Sequence, residues 1–288
     1  MFRRHSKSGR GTLETLRPRH TGFCFGVRDA LELAQGALVD GTEVVALGQV
    51  VHNRSAVAQL EADGLGQASE LPPSGPGRVV VTAHGAAPEV FATARERGLE
   101  VVDTTCPLVR RVQRHARELR ASGWPVVVVG HAGHAEVQGV RGWAGAQVEV
   151  VAGEDEAAGL PFAERRGVVC QSTFPLDAFR RVVAALGERT GELRVHDTTC
   201  PVVNQRQREA GNGFLDDADV ILVVGGRNSA NTRALAEACG QRRPTHHIET
   251  AEEITPEWFR PGQRVGITSG TSTPDWVVDE VEARCRAL

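Results

Sequence analysis

Seven short runs rich in β-branched residues recur along the chain, each ended by a polar turn and then a helix-like stretch: VVALGQVVHN, RVVVTAHG, EVVDTTCP, VVVVGHAGHAE, GVVCQST, VILVVGGRNSANT and RVGITSGTSTP. Strands that alternate with helical patterns restrict a chain to α/β units around parallel sheets. The runs are nearly all apolar rather than alternating, as expected where helices cover both faces of a sheet.

Within this pattern the pentapeptide DTTCP occurs twice, at 103–107 and 197–201. In both copies the proline stands where a first helical turn tolerates it, and Gln-Arg follows at matching places, 113–114 and 207–208. The repeat is therefore longer than its five identical residues and reads as a duplicated strand–cysteine–helix unit. A third cysteine, Cys24 in TGFCFGVRDALELAQGAL, also precedes a helical pattern, with Val27, Ala30, Leu31 and Ala34 facing inward. The three cysteines 24, 106 and 200 thus fall about one to each third of the 288 residues. The expectation is a three-lobed pseudo-repeat of small parallel-sheet α/β modules: 20–105, 106–199 and 200–288, after a flexible tail 1–19. The tail reading rests on its basic, Gly/Ser-punctuated composition.

Composition excludes several functions. The net charge of −3 argues against a general nucleic-acid surface, although Arg110, Arg111 and Arg114 leave a cluster open to an acidic protein partner. Lys7 is the one lysine, so a P-loop Gly-Lys-Ser/Thr is ruled out. No apolar run approaches the roughly 18 residues of a membrane helix and no apolar export segment follows the N-terminus, so the chain reads as cytoplasmic. None of the six cysteines forms a C-x-x-C, and any metal site must gather ligands from distant segments.

A helix N-terminus favours the thiolate that binds metal. Four thiolates would close a [4Fe–4S] cluster for electron transfer, whereas three leave one iron open to substrate. Alone, each cysteine reads equally well as a small buried hydrophobe; the repeated setting favours ligands. His52, His84 and His134 follow strands, with Glu136 two residues beyond His134, at the strand ends where α/β folds bind ligands. One such histidine is more often a cap or a solvent-facing residue; three in the same place point to a site. GGRNSANT and SGTSTP offer hydroxyls, an amide and glycine-flanked N–H groups at helix starts, which suits phosphate, with plain helix capping as the simpler reading. G-x-G-x-x-G is absent from these turns, which weakens any nicotinamide site.

GFCFGV, LGQVVHN, TAHGAAPEV, DTTCPLV, GHAGHAEVQG, QSTF, Arg206-Gln207 six and seven residues after a cysteine, RNSANT and SGTSTPDW occur in this order. Over residues 20–288 the chain resembles the 4-hydroxy-3-methylbut-2-enyl diphosphate reductase family of the non-mevalonate isoprenoid pathway. The resemblance implies a central [4Fe–4S] cluster held by Cys24, Cys106 and Cys200. It implies His52, His84 and His134 on the diphosphate side, with Ser229, Asn231 and Ser272 binding its oxygens. Glu136 would supply protons, and either Ser172 or Thr173 the active hydroxyl. The implied reaction is reductive dehydroxylation to isopentenyl and dimethylallyl diphosphate, with ferredoxin or flavodoxin as external donor and the protein a monomer or homodimer. Ala230 stands where the family usually has a second serine, and Gln171-Ser172-Thr173 replaces Q-T-T. Three alternatives remain at this point: a divergent paralogue acting on another diphosphate, a redox or sensor protein with Cys170 as a fourth ligand, and a cluster-free α/β binding module.

Overall fold

The computed structural model describes residues 3–5, 13–74, 77–145, 148–210 and 215–288. Its strands are, in chain order, β1 Arg3–His5, β2 Glu14–Arg17, β3 Val44–Leu47, β4 Gly66–Ala68, β5 Arg78–Val81, β6 Glu100–Asp103, β7 Val126–Val129, β8 Val148–Val151, β9 Ala163–Cys170, β10 Thr190–Val195, β11 Val220–Val224, β12 Thr245–Ile248 and β13 Arg264–Ser269. They form three sheets, in orders β4-β3-β5-β6, β10-β9-β7-β8 and β1-β2-β13-β11-β12. Every pairing is parallel except β1 with β2. The expected three parallel-sheet α/β modules are therefore present. The all-apolar runs have the predicted cause: every residue of β7 and of β11 is buried.

By contacts the chain divides into two compact units, Met1–Phe25 with His52–Ala56 and Pro201–Leu288, and Gly26–Val51 with Val57–Cys200. The second unit holds two of the three sheets. The helix Ala135–Ala144 comes so close to the start of the helix Pro88–Glu96 that a Cβ on Gly142 would lie 2.5 Å from Ala87 Cβ. Trp143 Nε1 donates to Ala86 O at 3.0 Å at the same junction. Glycines that remove side-chain bulk between two helices, plus a satisfied indole, account for two sheets sharing one unit.

The first unit corrects the expectation of a tail over 1–19. Residues 1–2 and 6–12 lie outside the described residues, but β2 pairs in parallel with β13, Thr15 opposite Val265. Leu13, Thr15 and Leu16 are buried. Thr15 Oγ1 donates to Glu282 Oε1 at 3.1 Å, and Arg17 reaches Asp279 at 2.5 Å. A strand of four residues with a partner some 250 positions away leaves little local signal for sequence reading to find.

Candidate active site

The two DTTCP copies fold into the same turn. Asp103 Oδ1 accepts from the Thr105 N–H at 3.0 Å and from the Thr105 hydroxyl. Asp197 Oδ1 accepts from Thr199 N at 3.0 Å and from Thr199 Oγ1 at 2.6 Å. The middle threonines tie each turn to the neighbouring strand, Thr104 Oγ1 donating to Val81 O at 2.7 Å and Thr198 Oγ1 to Cys170 O at 2.6 Å. An aspartate that bonds the backbone two residues on is a standard way to end a strand. Each cysteine is then fixed by its own N–H, Cys106 on Ala83 O at 3.1 Å and Cys200 on Ser172 O at 2.7 Å. Every residue of the pentapeptide has a structural task, including the proline that opens each helix.

In the second unit these turns bring chemistry together. Arg111 NH2 donates to Thr199 O at 3.0 Å, so the helix that starts after Cys106 also holds the turn of Cys200. A Cβ on Gly26 would lie 2.5 Å from Cys106 Sγ, so only glycine leaves that sulfur its place. Gly85, after His84, has φ +74° and would meet Gln113 Nε2 at 2.3 Å if it carried a Cβ. His84 and His134 meet edge to face with ring centroids 5.8 Å apart. His134 caps the helix Ala135–Ala144, its Nδ1 accepting from Glu136 N at 3.2 Å, which places the neutral ring's proton on Nε2.

Glu136 is 1% exposed. Ser172 N donates to its Oε1 at 2.6 Å, and Ser172 Oγ lies 2.9 Å from Oε2. Burial pushes its pKa up to about 7 against the opposing pull of both Ser172 hydrogen bonds. The carboxyl therefore keeps a transferable proton near neutral pH. Between Ser172 and Thr173, the hydroxyl on Glu136 is that of Ser172; Thr173 Oγ1 accepts from Gln171 Nε2 at 3.0 Å. Cys170 sits fully buried among Val127, Val129, Val168 and Phe174. Burial holds its thiol well above the usual range, with the charges of Glu136 and Asp197 adding to the effect.

The first unit gathers the other expected residues. Cys24 N donates to Thr271 O at 2.9 Å, and Asn231 Nδ2 lies 3.3 Å from Thr271 Oγ1. Ser272 Oγ donates to His52 O at 3.1 Å, and Ser229 caps the helix Ala230–Gly240 by accepting from Thr232 N at 3.3 Å. Burial, then the positive charge of Arg233, lowers the pKa of His52 and favours its neutral ring. Ser269, Thr271, Ser272 and Thr273 are all buried, a density of hydroxyls that suits an anion more than an apolar core. Thr271 and Arg206, whose NH1 donates to Gly270 O at 3.0 Å, were not singled out as site residues from sequence. The signal was present in the second hydroxyl of SGTSTP and in Arg206 six residues after Cys200.

Among the described residues no three His, Cys, Asp or Glu side chains gather around one point as a single metal ion would require. An iron–sulfur cluster takes its thiolates at separate corners, so this does not bear on three cysteine ligands. A sulfur seated on a bare glycine and cysteine turns with fixed backbones fit such a group. No helix among the described residues is long and apolar enough to cross a membrane.

A family model described as LytB protein matches residues 16–286. The 4-hydroxy-3-methylbut-2-enyl diphosphate reductase of Pelobacter propionicus is 42% identical over 267 residues, which is 92% of this chain and 95% of the relative. The protein of the same name from Geobacter sulfurreducens is 41% identical, over 94% of this chain and 96% of the relative. The solved structure of an (E)-4-hydroxy-3-methyl-but-2-enyl diphosphate reductase, described as the terminal enzyme of the non-mevalonate pathway, aligns with a TM-score of 0.70 at 36% identity. It covers 96% of this chain and all of that one. An E-1-hydroxy-2-methyl-but-2-enyl-4-diphosphate reductase from Plasmodium falciparum has a TM-score of 0.88 at 22% identity, over 96% of this chain and 88% of that one, and supports the fold alone. With the duplicated cysteine turns and the buried acid already in place, these matches make the chain a member of the LytB protein family.

Proposed function

We propose that this chain is a 4-hydroxy-3-methylbut-2-enyl diphosphate reductase that removes the allylic hydroxyl of its substrate as water, giving isopentenyl and dimethylallyl diphosphate. The relatives it matches along nearly its whole length carry that name. The observation that carries the chemistry is the pair Glu136–Ser172. A buried carboxyl protonated near neutral pH is bonded to the residue whose carbonyl holds the Cys200 N–H.

Cys24, Cys106 and Cys200 hold a [4Fe–4S] cluster in this reading. Within the second unit the Cys106 sulfur lies against the bare Gly26, and Arg111 on the helix that follows Cys106 holds the carbonyl of Thr199, next to Cys200. When bound, such a cluster supplies electrons one at a time and an open iron as a Lewis acid. Cys170, packed in the apolar core, is not assigned to it.

The substrate's diphosphate is held by neutral donors. His52, His84 and His134 offer ring N–H groups; Ser229, Asn231 and Ser272 offer hydroxyls and an amide, and Thr271 joins them. No lysine beyond Lys7 exists to take this part. Glu136 gives its proton to the departing oxygen, Ser172 orients the carboxyl, and water leaves. The overall change consumes two electrons and two protons for each hydroxyl lost as water. Ala230 withdraws one hydroxyl from the diphosphate side, a loss of roughly 0.5–1.5 kcal/mol of binding, which lowers affinity without abolishing it.

Anaerobic purification with iron and sulfide analysis, followed by assay with reduced methyl viologen and 4-hydroxy-3-methylbut-2-enyl diphosphate, tests this. Substrate-dependent viologen oxidation with release of both five-carbon diphosphates is expected. Protein that carries its iron yet leaves the substrate intact overturns the proposal.

A further inference from the structure

The helix Pro107–Ala121 stands apart in charge from the rest of the molecule. Five arginines, at 110, 111, 114, 117 and 120, against the single acid Glu118 give it a net charge of +4 with histidine neutral, in a chain whose net charge is −3. Arg110, Arg114 and Arg117 are exposed and fall at i, i+4 and i+7, one stripe opposite the buried Val109, Val112, Ala116 and Leu119. Among the described residues only the first is closely paired: Arg110 meets Asp103 at 3.0 Å. Arg114 lies 3.8 Å from Glu118 across two half-exposed side chains, an interaction worth little in water. Among the described residues Arg117 has the face of Trp143 as its neighbour, 5.7 Å from the ring centroid, rather than a carboxylate.

The stripe also has a place relative to the cysteine turns of its own unit. The helix begins directly after Cys106, and Arg111 binds the carbonyl of Thr199, next to Cys200. At 1.5 Å per residue, Arg110 is about 6 Å and Arg117 about 16 Å along the axis from Cys106. Fold stability gives no reason to collect like charge on one exposed helix face, because like charges four apart repel.

We propose that this arginine stripe is the landing surface for an acidic one-electron carrier protein that delivers the reducing electrons. The inference rests on the reductase reading, which needs two electrons per turnover and offers no nicotinamide fingerprint to supply them. Two reduced carrier molecules each lose one electron; the substrate takes up both with two protons and loses its hydroxyl as water. Electron-transfer encounters are small and transient, so charge complementarity carries much of their orientation and rate. A positive stripe running from one cysteine turn and tied to the other docks a negative carrier where the electron path is short.

The test uses holoenzyme reconstituted without oxygen and an acidic two-iron ferredoxin as probe. Binding of the oxidised probe is titrated at low and high salt for the parent, for the double variant Arg114→Glu with Arg117→Glu, and for Arg180→Glu, an exposed arginine on the separate helix Leu176–Gly187. The double variant should bind at least about tenfold more weakly at low salt, with the gap closing as salt screens the charges, while the control stays within about twofold. Turnover with reduced methyl viologen should be unchanged in both. Equal binding by the double variant and the control overturns the proposal. So does an equal loss of viologen turnover, or binding of a short DNA duplex as tight as that of ferredoxin. The binding measurement needs no substrate, so its result stands whether or not the reductase assay succeeds.

Discussion

The turns at 103–107 and 197–201 share five residues and one hydrogen-bond pattern, yet they serve different neighbours. The first rests its cysteine N–H on Ala83, the residue before His84. The second rests its cysteine N–H on Ser172, the partner of the acid Glu136. One copy of the unit thus fixes a cysteine beside a histidine loop and the other fixes a cysteine beside the serine that binds a buried acid. The thiols differ as well, Cys106 partly exposed and Cys200 buried. Duplication supplied a reliable way to aim a cysteine, and the strand beside each copy decided what chemistry stands next to it.

The comparison breaks most completely if the cysteines are not ligands. Cys106→Ser and Cys200→Ser should each lose the bound iron and all turnover, whereas Cys170→Ala should keep the parent's iron content because its thiol sits among valines. Iron and sulfide analysis of the three anaerobically purified variants checks this; iron lost from the Cys170 variant alone would reverse the assignment. The next largest effect separates the two turns. Glu136→Gln should retain iron and lose turnover by about 10²-fold or more. Its folded-state pKa of about 7 lies above the ordinary 4.5. The stability from the buried protonated acid is therefore complete below pH 4.5 and is lost as pH rises to about 7. The glutamine variant should be more stable than the parent by roughly 3 kcal/mol at pH 8, with the gap closing below pH 4.5 in denaturant titrations. An unchanged pH dependence would remove the buried acid from its role. The smallest effect compares the turns directly. Thr198 both donates to Cys170 O and accepts from Cys170 N, at 2.6 and 2.8 Å, whereas among the described residues Thr104 Oγ1 has the single partner Val81 O. Thr198→Val should cost about 2 kcal/mol and Thr104→Val about 1 kcal/mol in unfolding free energy. Equal costs would mean that the turns are held alike.

Much of this was legible before the fold was known. The apolar runs became buried parallel strands because both faces are covered, and DTTCP became a turn because aspartate and threonine bond their own backbone. What local pattern could not show depended on distant pairings. β2 is too short to announce itself and is defined by β13. Ser172 and Thr173 carry equivalent hydroxyls in sequence, and only the approach of Glu136 from the helix Ala135–Ala144 distinguishes them.

By itself the sequence determined the α/β class, the three cysteine positions and the local shape of the turns that carry two of them, since these depend on hydrophobic period and on bonds between residues two apart. Tertiary structure alone decided that Glu136 holds its proton to about pH 7, because that shift comes from burial by side chains far along the chain. It likewise decided that two modules form one compact unit, because the glycine and the indole that join them meet residues more than fifty positions away in the chain.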